Sequence, residues 1–168
     1  MYTAIFGFFA MMWFGMAQEN PPKSWRHWLW VGSAVATTLS LAGIYLAITN
    51  WHAASALTDK NAFITFGIVV ATEITAIAVG SIVLAKKRKH QYIAAWMAFV
   101  VGAHFAPLAL LFKDDWLYLL TALVCAAPVV GIVLAKKTKV SISAVTAVIT
   151  GLTLLAFSLR GLILFLAK

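Results

Sequence analysis

Charge is scarce in this chain. Only 18 of its 168 residues are charged, 13 basic and five acidic. Soluble domains carry about 25% charged residues and roughly 45–50% apolar ones. Here the figures are 11% and 63%, with a mean hydropathy of +0.94. So apolar a chain cannot clothe a water-facing surface, which excludes a soluble globular domain, and intrinsic disorder requires low hydrophobicity. A single cysteine, Cys125, rules out an intrachain disulfide and a CxxC redox pair. It lies inside an apolar run, where it reads as a small packing residue. Long polar segments are also missing, so no loop can house a separate soluble active site.

What the chain does have is apolar runs. A hydrocarbon core about 30 Å thick needs about 20 residues of helix. Six runs qualify or nearly so: residues 2–17, 27–49, 62–85, 92–112, 116–135 and 141–167. They are continuous rather than alternating, which selects helix over membrane strand. The first is short, and with no positive residue ahead of it we read it as a span rather than a signal peptide. The expected fold is therefore all-α, a polytopic bundle of six transmembrane helices in three hairpins, forming a single domain over residues 1–168.

The basic residues orient this bundle. Short connections make sequential helices antiparallel. The first, third and fifth loops hold Lys23, Arg26, Lys86, Lys87, Arg88, Lys89, Lys136, Lys137 and Lys139. The even loops and the tail hold Lys60, Lys113 and Lys168. Nine against three, alternating without exception, places the odd loops in the cytoplasm and both termini outside. The net charge of +8 thus reads as membrane topology, not nucleic-acid binding. Trp25, Trp28, Trp30 and Tyr92 at inner helix ends, and Trp51 and Trp116 at outer ends, suit the headgroup level. The expected location is the plasma membrane of a bacterium or archaeon. Residues 82–89, IVLAKKRK, recur as IVLAKKTK at 132–139. The same ending closes any inward-going span, so the echo is weak evidence of duplication.

Function should show in polar residues at membrane depth. A charge near the bilayer centre costs about 2.5–3.5 kcal/mol on insertion scales, so such residues are functional candidates. Glu73 is the deepest carboxylate, thirteen residues before Lys86 and hence about 20 Å from the inner lysines. A carboxyl at that depth can take up and release a proton during solute exchange. His104 lies thirteen residues after Gln91 on the next helix, at a matching depth. The spacing does not say whether the two face each other. If they do, they can share a proton. Pro107 and Gly102 flank His104 and mark a hinge, since Pro107 removes the bond to the Ala103 carbonyl.

Arg160 lies near the outer interface, positioned to snorkel or to pair with Asp114 or Asp115. It ends a stripe of Ser143, Thr146, Thr150, Thr153 and Phe157, spaced by threes and fours along one helix face. That face should look at protein or water, either as close helix packing or as the wall of a solute path. Thr72 on the third span is a further hydroxyl beside Glu73.

Other chemistries lack their residues. There is no deep lysine for a retinal Schiff base and no second deep histidine for a haem, since His27, His52 and His90 lie near the ends. Neither a zinc HExxH motif nor a phosphate-binding loop occurs. No cofactor or metal is expected, and the chain is not expected to be an enzyme. The expected function is a small transporter or channel for a small polar or cationic solute, with proton coupling through Glu73 and His104 and with Arg160, Thr72, Thr150 and Thr153 completing the site. Its partners would be the lipid bilayer, the solute, protons and a second copy of itself. The alternative is a non-transporting membrane protein, such as an accessory subunit, immunity factor or sensor, that binds a partner protein.

Overall fold

A computed structural model describes residues 2–19, 21–50, 60–138 and 140–167. Trp51, His52, Lys139 and Lys168 lie outside these residues. The described chain is helical throughout, without strands. It comprises α1 (Tyr2–Ala17), α2 (Arg26–Thr49), α3 (Lys60–Lys86), α4 (Ile93–Phe112), α5 (Trp116–Thr138) and α6 (Ile142–Leu166). Short 3-10 turns, Lys23–Trp25 and His90–Tyr92, lead into α2 and α4. Each α-helix matches an apolar run of the sequence to within three residues at either end.

Five of these helices are long and apolar enough to cross a membrane, and α1 is shorter at 16 residues, about 24 Å. The protein therefore fits an integral membrane protein. Its surface agrees: large apolar side chains such as Leu41, Ile68, Leu110 and Ile163 point outward, as they must where the solvent is hydrocarbon.

Helix order in space differs from helix order in sequence. The sixth helix is the hub, touching α1, α2, α4 and α5. Helix α1 is wedged between α2 and α6, and small residues let it in. A side-chain carbon on Gly7 would meet the α2 backbone, 2.8 Å from Ser40 N and 3.0 Å from Ala36 O. Gly43 likewise abuts the backbone of Thr3 and Ala4, and Gly161 abuts Thr3. Main-chain oxygens of α1 close these contacts. Ser40 Oγ donates to Ala4 O at 3.1 Å and Ser158 Oγ donates to Thr3 O at 2.8 Å. Lipid gives helices no hydrophobic reason to associate, so close backbone approach and interhelical hydrogen bonds must supply it. Phe6, Trp13 and Phe14 of α1 then fill the core, with Phe6 edge-on to Phe105 and Phe157.

The third helix stands apart. Among the described residues it packs along α4 alone of the helices, and none of its 27 residues is buried. The α3–α4 seam is held by Trp96, whose Nε1 donates to the Ala76 carbonyl at 3.0 Å while its ring covers Gly80.

Candidate functional site

Glu73 and His104 meet in this α3–α4 seam. Gly80 sits against Trp96 toward the lysine-rich end, and Phe66 lies near Phe112 toward the other, with ring centroids 6.2 Å apart. Between these contacts the antiparallel register brings position 73 level with position 104. Glu73 Oε1 lies 3.4 Å from His104 Nδ1, with 15% and 13% of the respective side chains exposed. Matching depth was legible in the sequence, and the facing is what the structure adds.

The imidazole is oriented by its own helix. His104 Nδ1 lies 2.5 Å from the Val101 carbonyl. A carbonyl oxygen can only accept, so Nδ1 is the nitrogen that carries hydrogen in the neutral ring. That hydrogen is aimed at the Val101 oxygen, and the Glu73 carboxyl lies 3.4 Å from the same nitrogen. The ring also lies over Phe105, centroids 4.1 Å apart. The seam thus holds one carboxyl and one imidazole 3.4 Å apart, about 20 Å from the lysine-rich end.

The other candidate residues lie elsewhere. Thr72 is exposed on α3, where with Ala71, Thr75, Ala76 and Val79 it lines an open groove of about 480 Å³ along the flank of that helix. Thr150 is fully buried in the bundle interior, one turn from the equally buried Thr146. Thr153 is half-buried and donates to the Ile149 carbonyl at 2.8 Å. The polar stripe of α6 is therefore an interior packing face. Gly102 lies at the α4–α5 contact, where an added side-chain carbon would be 2.7 Å from Cys125 Sγ and 2.8 Å from Cys125 N. Pro107 is exposed, and α4 continues through it to Phe112.

Arg160 anchors a second cluster at the end opposite the lysine-rich loops. Its Nη1 lies 3.2 Å from Asp114 Oδ2 and its Nη2 3.4 Å from Asp114 Oδ1. The guanidinium also sits 5.0 Å from the centre of the Trp116 ring, a cation–π contact. Asp114 works in two directions, because Oδ1 also accepts from Trp116 N at 3.1 Å at the start of α5. The Tyr2 phenol lies beside the same carboxylate. One side chain thereby ties the α4–α5 turn to the end of α6, next to the start of α1. The sequence pointed to an Asp114 or Asp115 partner for Arg160. It gave no signal for Tyr2, which is far away in the chain.

Among the described residues no group of three or more histidine, cysteine or acidic side chains could hold a metal ion. Comparison with family models, curated proteins and solved structures finds no match. Any functional reading therefore rests on the geometry above.

Proposed function

We propose that this protein is a small membrane transporter or channel for a small polar or cationic solute, with proton coupling at Glu73 and His104. The observation that carries the reading is the 3.4 Å approach of a carboxyl to an imidazole at membrane depth. Intramembrane ionisable pairs mark ion pathways and proton relays more often than they serve as packing. With Glu73 protonated and His104 neutral the pair carries no charge. With that proton gone it carries one negative charge. A monovalent cation arriving as the proton leaves keeps the seam neutral at every stage, so exchange avoids the cost of a naked charge in hydrocarbon.

Access favours the flank of α3. Thr72 neighbours Glu73, and its open groove adjoins the seam. A second copy of the chain against α3 would enclose that groove. On the charge distribution, the lysine-bearing loops face the cytoplasm of a bacterial or archaeal plasma membrane and both termini face out. Arg160, locked to Asp114, closes the outer end rather than touching the solute.

The test is Glu73→Gln, which keeps the shape and a hydrogen-bonding end but holds no transferable proton. The variant should elute and melt like the parent protein yet lose solute-driven proton flux in vesicles. Normal coupled flux in a folded Glu73→Gln protein would end this reading.

One observation favours the partner-binding alternative. Helix α3 has no buried residue and leans on one neighbour, which suits a surface awaiting a different protein. Purification of a stoichiometric partner that is lost on substituting Thr72 and Thr75 by leucine would support it.

A further inference from the structure

Threonine hydroxyls inside helices have a default partner, the carbonyl four residues back. Thr37, Thr75, Thr121 and Thr153 all take it, at 2.8–2.9 Å. Thr146 and Thr150 do not. Both are fully buried, and neither hydroxyl oxygen meets a protein partner. A buried hydroxyl left unpaired is costly, the more so when a bond within its own helix is one rotation away.

Across the interface, α5 has a carbonyl oxygen without its ordinary helical donor. Pro128 is buried within α5 and has no N–H. The Val124 carbonyl, which a residue at 128 would ordinarily bond, loses its helical donor. Val124 is itself fully buried. The register places these oxygens along one side of the α5–α6 contact. The Thr146 hydroxyl lies directly against Gly131. Four residues back along α5 and four on along α6, Ala127 comes level with Thr150. The Val124 carbonyl points toward residue 128 and so opens at that same level. Gly102 of α4 closes the third side, where an added side-chain carbon would lie 3.2 Å from the Val124 carbonyl carbon.

We infer that the junction of α4, α5 and α6 holds one internal water molecule, bound by the Thr146 and Thr150 hydroxyls and the Val124 carbonyl. Three partners is the usual complement of a buried water. A metal cation fits poorly, since hard cations take six or more oxygens and favour carboxylates. Glu19, Glu73, Asp114 and Asp115, the carboxylates among the described residues, all lie outside α5 and α6. The water satisfies the carbonyl that Pro128 strands and pins the two helices at one level. It is separate from the Glu73–His104 seam, so it stands or falls independently of the transport reading.

The test is a double-mutant cycle on thermal unfolding of the full chain in detergent. Thr150→Val is measured in the parent and in a Pro128→Ala background, with Thr146→Val as a second probe. If the water bridges to Val124, Thr150→Val strands that carbonyl and lowers the melting temperature by about 2–6 °C. In the Pro128→Ala background the backbone N–H restored at position 128 satisfies the carbonyl, and Thr150→Val should leave the melting temperature unchanged or raise it. Thr146→Val should behave likewise. A melting temperature unchanged or raised by Thr150→Val in the parent would overturn the inference, because it would mean that an unpaired hydroxyl had simply been removed. An equal loss in both backgrounds would overturn it too.

Discussion

Substituting Gly7 by alanine tests how the bundle is held together. The new methyl would lie 2.8 Å from Ser40 N, about 0.6 Å inside the 3.4 Å at which ordinary contact begins. The neighbouring atoms belong to the α2 backbone, so no side chain can swing aside. Helices α1 and α2 must separate. Separation also stretches the 3.1 Å bond from Ser40 Oγ to Ala4 O. Overpacking of this kind costs about 1–3 kcal/mol. The gain in helix propensity from glycine to alanine, about 1 kcal/mol at most, offsets part of it. For a chain of this length the melting temperature should fall by roughly 2–8 °C. Gly15 and Gly67 are the controls. An added carbon at either position meets nothing within 4 Å, so alanine there should be neutral or slightly stabilising. Tryptophan fluorescence during heating in detergent reads all three variants, since the chain has seven tryptophans. A Gly7→Ala protein as stable as Gly67→Ala would refute the claim that backbone approach between α1 and α2 holds α1 in place.

Two further predictions address the ends of the bundle. Arg160→Ala should lower stability by about 1–3 kcal/mol, because it leaves a half-buried carboxylate without its cation. Asp114→Ala should cost about 1 kcal/mol more, since it also removes the acceptor at the start of α5. Equal losses from the two would show that the capping bond contributes nothing. For orientation, in a background with Cys125 replaced by alanine, cysteines introduced as Lys87→Cys and Lys137→Cys should react with an impermeant thiol reagent only from the cytoplasmic side, and Asp115→Cys only from outside. The reverse pattern would overturn the topology.

The helices were legible in the sequence because lipid leaves only helix for a continuous apolar run of that length. Their arrangement was not. A helix that is apolar all round does not announce which face packs, and α1 could have been taken for a peripheral span. The informative residues were the small ones. Thr3 and Gly7 on α1, Ala36, Ser40 and Gly43 on α2, and Ser158 and Gly161 on α6 repeat at helical spacing and mark where backbones meet. At the candidate site, depth could be counted from the lysines, so Glu73 and His104 were placed at one level. Their facing depends on rotation about each helix axis, which Trp96 over Gly80 fixes. The polar stripe of α6 shows the limit of spacing. Periods of three and four identify a shared face but do not distinguish a packed interior from the wall of a solute path. Burial of Thr146 and Thr150 decides for the interior.

The most direct test of the Glu73–His104 account is proton release. Purified protein in weak buffer is challenged with a panel of small amines, amides and organic ions, and the pH change is recorded for the parent and for Glu73→Gln. The account predicts that at least one solute displaces a proton from the parent, up to one per chain, and none from the variant. Release of equal size from both proteins, or flux of a panel solute in vesicles with no proton release from the parent, would contradict it.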